Sequence, residues 1–193
     1  RLTGSDLLRS ARIGLPMGLN YYELLPFWHT VLSALDFEVV TSPQSSRELY
    51  LLGQKTIPSD TVCYPAKLIH GHIQALLDAG VDAIFYPCLT YNINEGLGDN
   101  HYNCPVVAYY PEVIAANMPG LNEHNFIYDY MTLESPRYFA NQVQKVLGKR
   151  LGSIPKADIR KAYDKGHDEY KAYLKRVRDK AGEYLELARQ AQL

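Results

Sequence analysis

The chain has 193 residues, 47% of them hydrophobic and 21% charged, with 20 Lys and Arg against 21 Asp and Glu. That balance excludes the disordered and fibrous classes and lacks the basic excess that binding a phosphate backbone requires. No apolar run approaches the roughly 20 residues of a bilayer-spanning helix, and RLTGSDLLRS has no signal-peptide core; a cytoplasmic setting, with neither nucleic acid nor membrane as partner, is the expectation.

A chain of this size buries roughly 70% of its unfolded surface, so its core needs neither disulfide nor metal, and any metal serves function. The start at Arg1 and the end in AQL, inside a helical pattern, suggest a segment of something longer. Tyr is abundant, 16 against 5 Phe, which suits half-wet pockets as well as strands.

In chain order, RIGLPM from Arg12 is short, apolar and stopped by Gly14 and Pro16, as a buried strand is, and a helix follows from about Glu23 to Leu35. FEVV (37–40) is a second strand. SSRELYLLGQ is a short helix capped by Ser45 or Ser46, with Glu48 in its first turn, and TIPSDTVCY is a loop. Pro65 suits a first helical turn, and Ala66, Ile69, Ile73, Leu76 and Leu77 recur at amphipathic spacing up to Gly80.

VDAIFYP (81–87) is a continuous apolar run of the kind a parallel sheet buries on both faces. The spacing then predicts a loop from Leu89 to Pro105, a fourth strand VVAYY from Val106, a short helix PEVIAANM, a fifth strand FIYDYMT, and a helix SPRYFANQVQKVLG capped by Ser135. From Pro155 the positions Ile159, Tyr163, Tyr170, Leu174, Val177, Ala181, Tyr184 and Ala188 keep helical spacing. They give a helix of roughly 50 Å, or two pieces bent near Gly166, that outruns one domain.

Strands alternating with helices predict an α/β fold: a Rossmann-like, mostly parallel sheet flanked by helices, with a long C-terminal helical extension. The expected organisation is an N-terminal extension (1–11), an α/β domain with the cysteine site (12–152), and a helical extension (153–193) that covers a sheet edge or reaches toward a missing domain or a second copy.

GLPMGLN after the first strand has neither a dinucleotide fingerprint nor the Lys-Ser/Thr of a phosphate loop, so no nucleotide is expected here. Ligands of such folds bind beyond the carboxyl ends of the strands. The loops predicted there hold all three cysteines, Cys63, Cys88 and Cys104, each within two residues of a proline. Proline fixes the turn and a helix N-terminus favours a thiolate, whereas an isolated cysteine ordinarily behaves as a small buried hydrophobe.

Three thiolates are also most of an iron–sulfur ligand set. A closed Cys3His zinc site with His101 competes, although cysteines so widely separated in sequence resemble no zinc ribbon. Cys88 ends one predicted strand and Cys104 precedes the next, so the long loop must fold back for them to meet. Lys67 and His70 lie nearest the Cys63 end of their helix and suit an anionic group, or else a solvated polar face. His70 and His72 point about 200° apart, so only one is expected to face a site. Asp99, Asn100, His101 and Asn103 either contact a ligand or cap turns. Tyr64, Tyr86, Tyr91 and Tyr102, close to the cysteines in sequence, are expected to limit water there.

The combination of NYYELLPFW, SSRELY, VCYPAKLIHGHI, VDAIFYPC, DNHYNCPVV and YYPEV closely resembles the segment downstream of the ATPase modules in acyl-CoA dehydratase activase-related proteins, the CoA-substrate-specific enzyme activases. The likeness covers roughly residues 12–118. It implies partnership with actin-like ATPase domains of the same protein and similarity to the cysteine-bearing subunits of 2-hydroxyacyl-CoA dehydratases, which hold a [4Fe-4S] cluster through three cysteines. Cys63, Cys88 and Cys104 are thereby implied as ligands of a cluster that aerobic purification would strip.

The function so implied is that of a non-ATPase redox module, acting in ATP-driven low-potential electron transfer to, or dehydration of, an acyl-CoA type substrate, with a dehydratase-type partner or a second copy. A non-catalytic docking domain with structural cysteines is the alternative.

Overall fold

The computed structural model describes residues 11–148 and 150–191; the expected N-terminal extension lies, but for Ala11, outside the described residues. Four short strands form one parallel sheet: β1 (Arg12–Leu15), β2 (Glu38–Thr41), β3 (Ala83–Phe85) and β4 (Phe126–Ile127), in the order β2-β1-β3-β4. Ile13 sits opposite Val39 on one side and Ala83 on the other, so β1 is central. Its Ile13 and Leu15 are accordingly fully buried, as are all three residues of β3. These are the apolar runs a doubly covered sheet demands.

Helices cover both faces. α1 (Tyr21–Ala34), α5 (Pro136–Gly148) and α6 (Lys156–Gln190) pack together, and α2 (Arg47–Gly53), α3 (Tyr64–Asp78) and α4 (Pro105–Asn117) form a second group. Ser46 caps α2 by accepting from the Leu49 N–H at 3.1 Å. The first group is cemented by aromatic rings: Trp28 lies 4.9 Å from Phe85 and 5.0 Å from Phe27, and Phe27 lies 5.6 Å from Tyr163, all edge-to-face. In the second, Gly53 and Gly71 let α2 and α3 touch at the backbone, since a Cβ on Gly71 would strike the Leu49 carbonyl.

α6 is one continuous helix of 35 residues. Gly166 does not bend it but admits α1: a Cβ there would stand 2.6 Å from Val31 Cγ2 and 3.0 Å from the Phe27 carbonyl oxygen. Its apolar stripe is buried only as far as Tyr170, while Val177, Tyr184, Leu185 and Leu187 are exposed. The helix therefore packs over part of its length, as its outrunning stripe predicts.

Two expected strands are corrected. VVAYY is not a strand; it joins PEVIAANM in the single helix α4, which Cys104 caps and Pro105 opens. FIYDYMT contributes only Phe126 and Ile127, followed by an isolated bridge between Tyr130 and Cys88. The sheet thus has four strands among the described residues, not five. No helix among the described residues is long and apolar enough to cross a membrane.

Candidate functional site

The order β2-β1-β3-β4 reverses its direction of travel between β1 and β3, and the crevice beyond the carboxyl ends at such a switch point is where this class of fold takes ligands. The chain leaves β1 there through a loop in which Leu19 has a φ of 51, an uncommon left-handed conformation for a residue that bears a side chain. It leaves β3 as Tyr86-Pro87-Cys88.

Pairing continues past the end of β3: the Tyr86 N–H donates to the Ile127 carbonyl at 2.8 Å, the Cys88 N–H to that of Asp129 at 3.2 Å, and the Met131 N–H to that of Cys88 at 3.0 Å. The segment is extended, so Tyr86 and Cys88 face the same way. Cys88 is completely buried. Burial, followed by the nearby carboxylates of Glu112 and Asp129, pushes its thiol up to about 12.

Cys104 and Cys63 are the N-caps of α4 and α3, with almost superposable backbones, φ −61° and ψ 151° against φ −61° and ψ 150°. The Cys104 Sγ accepts from the Val107 N–H at 3.4 Å. Both thiols are exposed and free, so neither is packed as a small hydrophobe. Because the segment after Cys104 is a helix and not a strand, it begins at the same edge of the sheet at which β3 ends. The expected difficulty of cysteines at opposite sheet ends disappears: all three lie on loops of the carboxyl edge. Among the described residues no group of three or more His, Cys, Asp or Glu side chains is placed to hold one metal ion.

His70 and His72 are both fully buried. Their opposite directions serve two separate networks. The Thr56 hydroxyl donates to the Gly53 carbonyl at 2.9 Å. It lies 2.8 Å from His70 Nδ1 and, its one proton already given, accepts there. His70 Nε2 is left to accept from the Tyr110 hydroxyl at 3.0 Å. His72 lies between the hydroxyls of Ser42, 2.7 Å from Nδ1, and Ser45, 3.0 Å from Nε2. Burial holds both imidazoles down to about 4, hence neutral near pH 7. Both ring nitrogens of His70 are thus engaged within the protein, and Lys67 Nζ donates to the Asp60 carbonyl at 2.7 Å. Tyr110 itself is pushed up to about 12 by burial and by the nearby Cys63.

Two buried phenols pack together beside the end of β3. Tyr86 is 1% exposed and its hydroxyl finds no hydrogen-bond partner among the described residues. Tyr21 stands beside it, ring centroids 5.9 Å apart, with its own hydroxyl bonded to the Phe85 carbonyl. Of the four tyrosines expected to limit water there, Tyr86 is buried, while Tyr64, Tyr91 and Tyr102 are exposed. In the long loop Asn100 caps a turn by accepting from the Tyr102 N–H at 2.8 Å, whereas Asn103 Nδ2 donates across the loop to the Leu89 carbonyl at 2.9 Å. His101 offers its carbonyl to the Asn92 N–H at 2.8 Å.

Spacing gave no sign of the strap that ties this loop down. Glu23 Oε1 accepts from Asn92 Nδ2 at 3.1 Å and from the Tyr170 hydroxyl at 2.7 Å. Tyr170 also meets Glu95 at 3.1 Å, and Arg178 donates to Glu95 at 3.0 Å. Glu23, Glu95 and Tyr170 come from three distant parts of the sequence, as do Thr56, His70 and Tyr110. Only the fold brings them together.

The family model described as the CoA enzyme activase uncharacterised domain matches residues 12–193, and the chain belongs to that family. The match continues through α6, beyond the stretch on which the resemblance rested. No curated protein and no solved structure matches the chain.

Proposed function

We propose that this domain is the non-ATPase redox module of a CoA enzyme activase. In this reading Cys63, Cys88 and Cys104 hold an iron–sulfur cluster at the carboxyl edge of the sheet. The module then acts in ATP-driven, low-potential electron transfer to, or dehydration of, an acyl-CoA type substrate, with ATPase domains of the same protein and a dehydratase-type partner. The observation that supports it is the place of each cysteine in the fold, Cys88 just after the carboxyl end of β3 and Cys63 and Cys104 as exposed caps opening α3 and α4.

The donor set suits a cluster better than a single ion. In a four-iron cube each thiolate takes a different iron, so its ligands need not converge on one point as those of zinc must. Such a group supplies one-electron transfer at a potential set by its surroundings. Around Cys88 those surroundings include the carboxylates of Glu112 and Asp129, which oppose added negative charge and so favour a low potential. The first-turn N–H of Val107 steadies the Cys104 sulfur. ATP chemistry belongs to other domains, because GLPMGLN offers no phosphate cradle.

One observation favours the docking alternative: the apolar stripe of α6 runs on, exposed, past Tyr170, as a helix meant for a partner would. Reconstitution with ferrous iron and sulfide without oxygen separates the two readings. A cluster gives about four irons per chain, reduced in each of Cys63→Ser, Cys88→Ser and Cys104→Ser. Iron content indifferent to Cys63→Ser leaves docking as the function.

A further inference from the structure

The stripe of α6 keeps an unbroken four-and-three spacing from Tyr163 to Ala191, with His167 as its one polar member. That is the seven-residue repeat of a coiled-coil seam. Its first part is used inside the chain: Tyr163 bonds the Leu133 carbonyl, and Tyr170 bonds Glu23 and Glu95. Beyond Leu174 the seam is bare, with Val177 46% and Tyr184 62% exposed and Leu185 and Leu187 exposed beside it. A helix interrupted by Gly182 and packed on nothing is a poor one by itself, because helices draw most of their stability from a covered apolar face. The exposed ion pairs along it, Lys175 with Asp179 and Lys180 with Glu183, add little.

The bare seam complements itself when two copies run antiparallel. Tyr170 is already covered, so a second helix can lie on the seam only from Leu174 onward. In the register that respects this limit Leu174 meets Ala191, Val177 meets Ala188 and Ala181 meets Tyr184, large against small in every layer. A shift of one heptad inward would set Ala188 on the covered Tyr170. Charge favours the same direction. Residues 171–180 carry Lys171, Lys175, Arg176, Arg178 and Lys180 against Asp179 alone, whereas residues 181–191 carry Glu183 and Glu186 against Arg189. Arg176 and Arg178 also meet Glu169 and Glu95 of their own chain, which leaves the lysines unbalanced. Antiparallel order lays the basic half on the acidic half, and parallel order lays like on like.

We infer that the exposed half of α6 is a self-association surface, which pairs with the same half of a second copy as an antiparallel coiled coil over about 26 Å. Lys180 and Glu183 lie on one flank of the helix, where they bond each other at 2.7 Å. In the pair that flank faces its own counterpart, so Lys180 stands opposite Glu183 of the second copy. The inference is independent of the cluster reading, and it gives the stripe to a second copy in place of a different docking protein.

The test is sedimentation of the purified chain at about 1 and about 100 μM, a range suited to an interface this short. The expected result is a monomer at the lower concentration and a dimer at the higher. Val177→Asp with Ala181→Asp is expected to be monomeric at both, with unfolding at about 1 μM unchanged. Orientation is read from Lys180→Glu and Glu183→Lys, each of which breaks the pair within its own helix. Alone, each sets like charges together in the coil and is expected to dimerise at least about tenfold more weakly. Their equimolar mixture is expected to recover the dimer, because every contact across the flank then joins a carboxylate to an ammonium.

A chain that stays monomeric at about 100 μM hands the stripe to a different protein and overturns the inference. A dimer that survives Val177→Asp with Ala181→Asp, or a mixture no better associated than its components, overturns it as well. If the doubly substituted chain unfolds on dilution, the stripe serves the chain's own fold and the inference falls.

Discussion

His70 and His72 give the structure a pH dependence whose sign and size follow from their burial. Both are fully buried, and burial lowers each from 6.5 to about 4. Near neutral pH they are uncharged in the folded and unfolded chain alike. At about pH 5.5 the unfolded chain takes up protons that the folded one refuses, so stability present above the ordinary histidine value is lost as the pH falls toward the folded one. Each histidine then costs about 1.4 kcal/mol at pH 5.5, roughly 3 kcal/mol for the pair, a large share of a typical total of about 5–15 kcal/mol.

His167, also lowered by burial, adds in the same direction. The window ends above the ordinary carboxylate range, so acid groups contribute little. The assay is urea unfolding at pH 7.5, 6.5 and 5.5, followed by the fluorescence of Trp28, the single tryptophan, which is buried in the core. A His70→Gln, His72→Gln double variant is expected to be less stable throughout but to lose most of the slope. An original protein that loses less than about 1 kcal/mol, or a double variant with an undiminished slope, refutes the assignment of two buried neutral histidines.

Gly71→Ala is expected to destabilise by about 1–3 kcal/mol in thermal unfolding, because its Cβ meets the Leu49 backbone and α2 has to move away. Tyr170→Phe unfastens Glu23 from Glu95, so amide exchange in the loop from Leu89 to Cys104 is expected to accelerate; unchanged exchange would mean that the strap does not hold the loop. Tyr184→Ser combined with Leu185→Ser is expected to change stability by no more than about 0.5 kcal/mol, since both side chains are exposed beyond the packed half of α6. Calorimetry on the purified chain is expected to show no ATP binding, and micromolar affinity would contradict the sequence reading.

The parts of the fold legible in the sequence are those with a single strong period. α3 shows in Ala66, Ile69, Ile73 and Leu76 behind Pro65, β3 in the unbroken run of Ala83 to Tyr86, and α6 in its stripe, all because burial repeats at a fixed interval. α4 was hidden by two local signals. Val106 and Val107 beside two tyrosines resemble a strand, and Pro111, which ordinarily opens or breaks a helix, lies inside this one. The apparent strand also put Cys104 at the wrong end of the sheet. The cysteines as candidates were visible from their prolines. The unpaired hydroxyl of Tyr86, the committed proton of Tyr110 and the strap through Tyr170 depend on contacts between segments far apart in the chain, which no local pattern records.

The central claim, that three cysteines serve one group, is tested most directly by alkylating the chain with iodoacetamide before and after anaerobic reconstitution with iron and sulfide and reading each cysteine by mass spectrometry. Before reconstitution Cys63 and Cys104, both exposed, are expected to react and buried Cys88 to resist. Afterwards all three are expected to be protected together, and Cys88→Ser is expected to abolish the protection of the other two. Continued reactivity of Cys63 and Cys104 after reconstitution, or protection that survives Cys88→Ser, would contradict the claim.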